Sequence, residues 1–131
     1  MKYSVDKKDD YAVLTLGEEN LNSLKAPDLK AELIVLHNAG NKNLIMDLSN
    51  TKFVDSSGLS AILTGNRLWA GAGYFVLTGI KHPSVSKLIA ISRLDTILNI
   101  KPTVEESVDF IMMNSLDEEL NEEEDIILVS F

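Results

Sequence analysis

NLIMDLSNTKFVDSSGL, Asn43 to Leu59, is the stretch whose reading decides the fold. Leu44-Ile45-Met46, closed by Asp47, is a short apolar run with the length and flanks of a buried strand. A polar connector, Ser49-Asn50-Thr51-Lys52, follows, and Phe53-Val54 are expected to bring the chain back toward the core. Asp55-Ser56-Ser57-Gly58 then precedes a 3.6-period apolar pattern on Leu59, Ile62 and Leu63. Asp or Ser at that place is an N-capping arrangement, because its side-chain oxygen accepts one of the unpaired N–H groups of the helix. The stretch is strand, connector and helix, with two hydroxyls beside a carboxylate at the helix mouth.

Upstream, Tyr3–Lys7 alternates weakly, Asp9-Asp10 make a turn, and Tyr11–Leu16 is a second strand, so a hairpin is expected. Gly17-Glu18-Glu19-Asn20 breaks the pattern. Ser23 is a candidate cap for the next helix, Pro27 fits its first turn, and Leu29, Leu33 and Leu36 form its apolar stripe. Gly40 suits a left-handed C-terminal turn there. Downstream, the helix from about Ser57 runs to Trp69 or Ala70 and stops at Gly71-Ala72-Gly73, and Tyr74–Thr78 is a strand rich in aromatic and β-branched residues. Pro83 opens a helix with Val85, Leu88 and Ile89 inward, ending at Leu94-Asp95, and Ile97–Ile100 is a short strand. Thr103-Val104-Glu105-Glu106 is a capping box for a last helix on Val104, Val108, Ile111 and Met112. Two strands followed by helix–strand alternation indicate an α/β layer protein, its sheet mostly parallel with at least one antiparallel edge pair.

The length of 131 residues is one domain's worth of chain. Without cysteine there is no disulfide framework, thiolate metal site or Cys nucleophile. No apolar run approaches the ~18 residues of a membrane span, and MKYSVDKKDD lacks the apolar core of a signal peptide, so a cytoplasmic location is expected. The formal net charge of -8 is unevenly spread: Met1 to Pro102 balance at +2, whereas Thr103 onward holds 10 acidic residues and no basic one. No Lys/Arg cluster interleaved with aromatics is present, which argues against nucleic acid binding. Domain organisation is expected as residues 1–116 followed by an extension, 117–131, that is acidic to Asp125 and apolar over Ile126–Phe131. The acidic run lacks the spacing of a calcium loop and is expected to be a solvated charge run. The apolar end suits an added edge strand, a flap over an apolar patch, or a peptide that pairs with another chain.

Asp55-Ser56-Ser57-Gly58 admits a purely structural reading, an N-cap plus a Gly needed for backbone geometry. Spacing alone favours that reading, and the stretch also admits a modified hydroxyl: phosphoserine carries roughly -1.5 to -2 charges, which a helix N-terminus tolerates. Phosphorylation would then leave the fold intact while repelling a partner docked over the hydroxyl. A serine nucleophile would need a base, and nothing in the spacing brings His37 or His82 to Ser56 or Ser57; nor is VDSSGL the G-x-S-x-G of a nucleophile elbow. Both histidines are expected as surface or capping residues, and no catalytic residue, metal site or cofactor is assigned. Gly17-Glu18-Glu19-Asn20 is expected as an ordinary strand-to-helix connector, and would supply a polar group near the serine loop if the two loops share one end of the sheet.

At Phe53-Val-Asp-Ser-Ser-Gly-Leu59, preceded by Leu44-Ile-Met-Asp-Leu48, the chain resembles the STAS family, and within it the small bacterial anti-sigma factor antagonists. The resemblance runs from Tyr3 to about Leu116 in element order and includes Leu16-Gly17, Arg67 and Tyr74–Gly79. It implies a mixed sheet of about five strands with about four helices packed mainly on one side. It implies that Ser57 is phosphorylated by a partner that is both anti-sigma factor and GHKL-type serine kinase. The unphosphorylated protein binds that kinase, phosphorylation ends binding, and a PP2C-type phosphatase reverses it. Asp55, Ser56 and Gly58 match the rest of the loop, and Asn20 stands where relatives often carry an Asp lining the same surface. The implied role is transcription regulation by protein–protein binding, not enzymatic. The alternative within the family is a regulatory or structural subunit of a transport complex or stressosome-like assembly, with no phospho-switch.

Overall fold

The computed structural model describes residues 1–116, so the acidic extension and its apolar end lie outside the described residues. The elements are β1 (Tyr3–Lys7), β2 (Ala12–Leu16), β3 (Asn20–Leu21), α1 (Ala26–Asn38), β4 (Leu44–Asp47), β5 (Phe53–Val54), α2 (Ser56–Trp69), β6 (Phe75–Thr78), α3 (Pro83–Ile91), a 3-10 turn (Leu94–Thr96), β7 (Asn99–Lys101) and a helix α4 over 104–116. The main sheet runs β1-β2-β4-β6-β7, with β1 antiparallel to β2 and every other pair parallel. This is the mixed five-stranded sheet and four helices the resemblance implies.

Alternation along the strands sorts the core into two layers. Leu14, Met46 and Leu77 point to one face, where they meet Leu29, Leu33 and Leu36 of α1, Ile62 and Trp69 of α2, and Val85 and Ile89 of α3. Val13, Ile45 and Val76 point to the other, where α4 supplies Ile111, with Val104 and Val108 beside it. A strand covered on both faces must be apolar throughout, which is why Leu44-Ile45-Met46 shows no polar alternation. Each side chain buried there stabilises the fold by roughly 1.5–3 kcal/mol. Met112 falls at the margin of the α4 stripe, 39% exposed, rather than inside it.

Several local expectations give way to tertiary structure. α1 begins at Ala26, and Lys25 before it supplies no side-chain cap; the N–H groups of Lys25 and Ala26 donate to the Asn22 carbonyl, and Ser23 stands exposed. Gly40 does take a left-handed conformation after α1, at φ 90°. α3 ends at Ile91, because Arg93 at φ 56° turns the chain into the 3-10 segment. The last strand is therefore Asn99–Lys101, in register with Val76–Thr78, and Ile97 is 59% exposed. The capping box holds at its hydroxyl end: Thr103 Oγ1 accepts the Glu106 N–H at 3.1 Å.

The end of the sheet that carries the serine loop is tied by backbone polarity. Asp47 Oδ1 accepts the Ser49 N–H at 2.9 Å and turns the chain off β4. Thr51 is buried, and its hydroxyl donates to the Glu18 carbonyl at 3.0 Å. The opposite end is held by buried Asn43, whose Nδ2 donates to Asp10 O while Oδ1 accepts the Tyr74 N–H.

Candidate functional site

β3 and β5 are two residues each and pair in parallel outside the main sheet, Asn20 opposite Phe53 and Leu21 opposite Val54. The Lys52 and Phe53 N–H groups both donate to Glu19 O, at 2.8 and 3.0 Å, and the Asp55 N–H donates to Leu21 O at 3.2 Å. The Glu18–Asn20 loop and the serine loop thus share one end of the sheet and are hydrogen-bonded along their length. Glu18 anchors the first loop: it accepts from Lys25 Nζ at 2.8 Å and from the Lys2 N–H at 2.9 Å, and these partners hold its carboxyl below the usual range.

Asp55 is the N-cap of α2; its Oδ1 accepts the Gly58 N–H at 2.9 Å. Ser56 and Ser57 are the first two helical residues, Ser56 exposed and Ser57 half-buried. Asn20 is exposed on the neighbouring strand. Gly58 is buried with a helical backbone, so no turn conformation requires it. Its need is spatial: a Cβ there would stand 2.4 Å from the Leu21 carbonyl oxygen and 2.8 Å from Val54 Cγ1. The close approach it permits is of α2 to β3 within this chain.

Phe53 is not a core residue. It is 55% exposed, and its ring leans on His82 with centroids 5.4 Å apart. β5 pairs only with β3, so no sheet layer covers that side chain. His82 caps α3, as a capping residue should, and lies next to the connector that leads to the serines. The Ser84 hydroxyl donates to the Lys52 carbonyl oxygen. His82 Nδ1 lies 2.9 Å from Ser84 Oγ and 3.4 Å from the Ser84 N; it accepts the backbone N–H as the cap when Nδ1 is unprotonated and donates to the hydroxyl oxygen when Nδ1 carries the proton. His37 is elsewhere, edge-on to Trp69 at 5.1 Å. A depression of about 450 Å³ lies alongside, lined in part by Glu19, Thr51, Lys52, Lys81 and His82. Arg67 is exposed in the last turn of α2, far along the helix from the serines.

The structure therefore gathers Asn20, Asp55, Ser56 and Ser57 on one end of the sheet, with Gly58 beneath them. It adds Phe53, His82 and Ser84, which no local pattern placed there. Ser84 directly follows a His-Pro pair at a helix start, a signal for a cap and silent about which loop the cap touches. Among the described residues no group of acidic and histidine side chains is arranged to hold a metal ion, and no helix is long and apolar enough to cross a membrane.

Comparison with known proteins agrees with this architecture. The family model described as STAS domain matches residues 2–107. BtrV of Bordetella bronchiseptica, whose name describes it as an anti-sigma factor antagonist, is 31% identical over 93 residues, covering 70% of this chain and 78% of BtrV. An anti-sigma factor antagonist from Mycobacterium paratuberculosis superposes with TM-score 0.77 at 19% identity, over 85% of this chain and 93% of that one. SpoIIAA, an anti-sigma factor antagonist, superposes in its unphosphorylated form with TM-score 0.70 at 23% identity, over 85% and 96% of the two chains. Its phosphorylated form, named for Bacillus, gives 0.63 at 22% identity, over 84% and 99%.

Proposed function

The chain belongs to the STAS domain family, and we propose that it is an anti-sigma factor antagonist gated by phosphorylation of Ser57. The observation that carries this reading is the contrast at the start of α2. The Asp55 carboxylate is occupied in capping, while the adjacent serine hydroxyls make no hydrogen bond among the described residues. A phosphoryl group on Ser57 would meet the unpaired N–H groups and positive end of the helix, which favour it, and the Asp55 carboxylate, which opposes it. The fold keeps its shape and the surface gains charge.

In the unphosphorylated state, the surface formed by Ser57, Ser56, Asn20 and Phe53 receives a GHKL-type serine kinase that also acts as the anti-sigma factor. Phosphorylation of Ser57 places a dianion in the dry centre of that contact, and the partner leaves. A PP2C-type phosphatase restores binding. The protein acts by occupying its partner and carries out no chemistry itself. SpoIIAA, which shares the fold and is known in both phosphorylation states, supports the reading.

The test is binding of the wild-type protein, Ser57→Ala and Ser57→Asp to each purified GHKL-type kinase of the source cell. Ser57→Ala should bind as wild type to one of them. Ser57→Asp should bind it at least about 100-fold more weakly, equivalent to roughly 2.7 kcal/mol. Equal binding by the two variants would end the gating proposal.

A further inference from the structure

β7 is an edge strand of three residues, bonded to β6 on one side only among the described residues. Recesses lie against it on both faces. The one toward α3 holds about 600 Å³ and is lined on its apolar side by Ile80, Ile89, Leu98 and Ile100. The one toward α4 holds about 410 Å³ and is lined by Phe110 and Met113 together with the polar Lys101, Glu106, Asp109 and Asn114. Lys101 of β7 lines both, its Nζ 4.7 Å from the Phe110 ring centroid. The connection from α3 to β7 leaves Ile91 and Ile97 exposed at 68% and 59%.

An added strand with apolar side chains on both faces would meet Ile80, Ile89 and Leu98 on one side and the Phe110 ring and Met113 on the other, beside the polar groups that share each recess. The sequence holds such a segment, Ile126-Ile127-Leu128-Val129-Ser130-Phe131, outside the described residues. Alternate side chains, Ile126 and Leu128 against Ile127, Val129 and Phe131, would enter the two recesses in turn. We propose that the open edge of β7 is the docking site of this chain's own segment 126–131, which adds to it as a strand.

The path is long enough. α4 crosses the second face from β7 toward the β1–β2 turn, where Met112 meets Lys7–Tyr11. From β2 back to a position outside β7 is four strand spacings, about 19 Å. The nine residues 117–125 reach about 30 Å when extended. A strand added from the end of the sheet where β7 begins would run parallel to β7. The other open edge, β1, is nearer but unsuited. Four of its five residues are exposed, Tyr3, Ser4, Asp6 and Lys7, and only Val5 is half-buried, so an apolar strand there would be covered on neither face.

Hydrogen exchange followed by mass spectrometry tests the docking with the full chain, a chain truncated after Asp125, and the full-length double variant Ile127→Asp/Val129→Asp. Amides in 97–102 should exchange about tenfold faster in both altered proteins than in the full chain, at any protein concentration. The same exchange in all three would overturn the proposal. So would protection lost from 3–7 or from 109–116 instead, which would put the segment on β1 or α4. Protection of 97–102 that rises with protein concentration would overturn docking within one chain and indicate pairing between copies.

Discussion

Two helices, α2 and α3, begin at the same end of the sheet, each capped by a side chain and each with a serine in its first turn. At α3 the cap is His82 and the serine is bound: Ser84 Oγ serves both Lys52 O and His82 Nδ1. At α2 the cap is Asp55, and Ser56 and Ser57 are left unengaged. The difference is one of hydrogen bonding rather than of residue type. A tied hydroxyl fixes a loop, and an untied one beside a helix start is open to modification.

The comparison would break most visibly at Gly58. Gly58→Ala drives a methyl group into the Leu21 carbonyl oxygen and Val54, and backbone cannot yield as a side-chain tip would. Overpacking of this kind costs about 1–3 kcal/mol, and urea denaturation should show a loss in that range. The same variant should increase hydrogen exchange in 53–58, since β3 and β5 are pried from α2.

Capping is the next largest effect. Asp55→Ala should cost about 1 kcal/mol, whereas Asp55→Asn, which keeps an accepting oxygen, should cost less than half of that. If phosphoserine at position 57 is opposed by the Asp55 charge, the Asn variant should also hold phosphate more readily in a kinase–phosphatase mixture. At the paired helix, Ser84→Ala should cost about 1 kcal/mol by leaving the Lys52 carbonyl without its donor. Ser57→Ala should change stability by less than about 0.5 kcal/mol. Equal costs for the two serine deletions would erase the distinction between them.

A smaller effect lies at Glu18, which holds the neighbouring loop. Its carboxyl is depressed by Lys25 and the Lys2 N–H, so its contribution is full above the ordinary value of 4.5 and is lost as pH falls through the lower, folded-state value. The Tm gap between wild type and Glu18→Gln should therefore be largest near neutral pH and close below pH 4.5.

Much of this was legible in the sequence, because the deciding signals are local. Leu44–Met46, the Asp55 cap and the Thr103 box depend on residues a few positions apart. Phe53 was not legible: an apolar residue in a short strand is expected inside unless one knows that β5 joins only β3 and lies off the main sheet. α4 showed its helical stripe at Val104, Val108 and Ile111, yet spacing cannot say that it covers the face opposite the other helices. Asn20 met Phe53 only once the two loops were brought to one end by the β2–β4 pairing. The contact of Ser84 with Lys52 likewise arises between segments 32 residues apart, whereas its contact with His82 is local.

The most direct measurement is intact mass and peptide mapping of the protein from its native cell, before and after treatment with a PP2C-type phosphatase. The expected result is an increment of about 80 Da on Ser57, removed by the phosphatase, with Ser84 unmodified. An unmodified Ser57 under every growth condition, or phosphate on Ser84 in its place, would contradict the account.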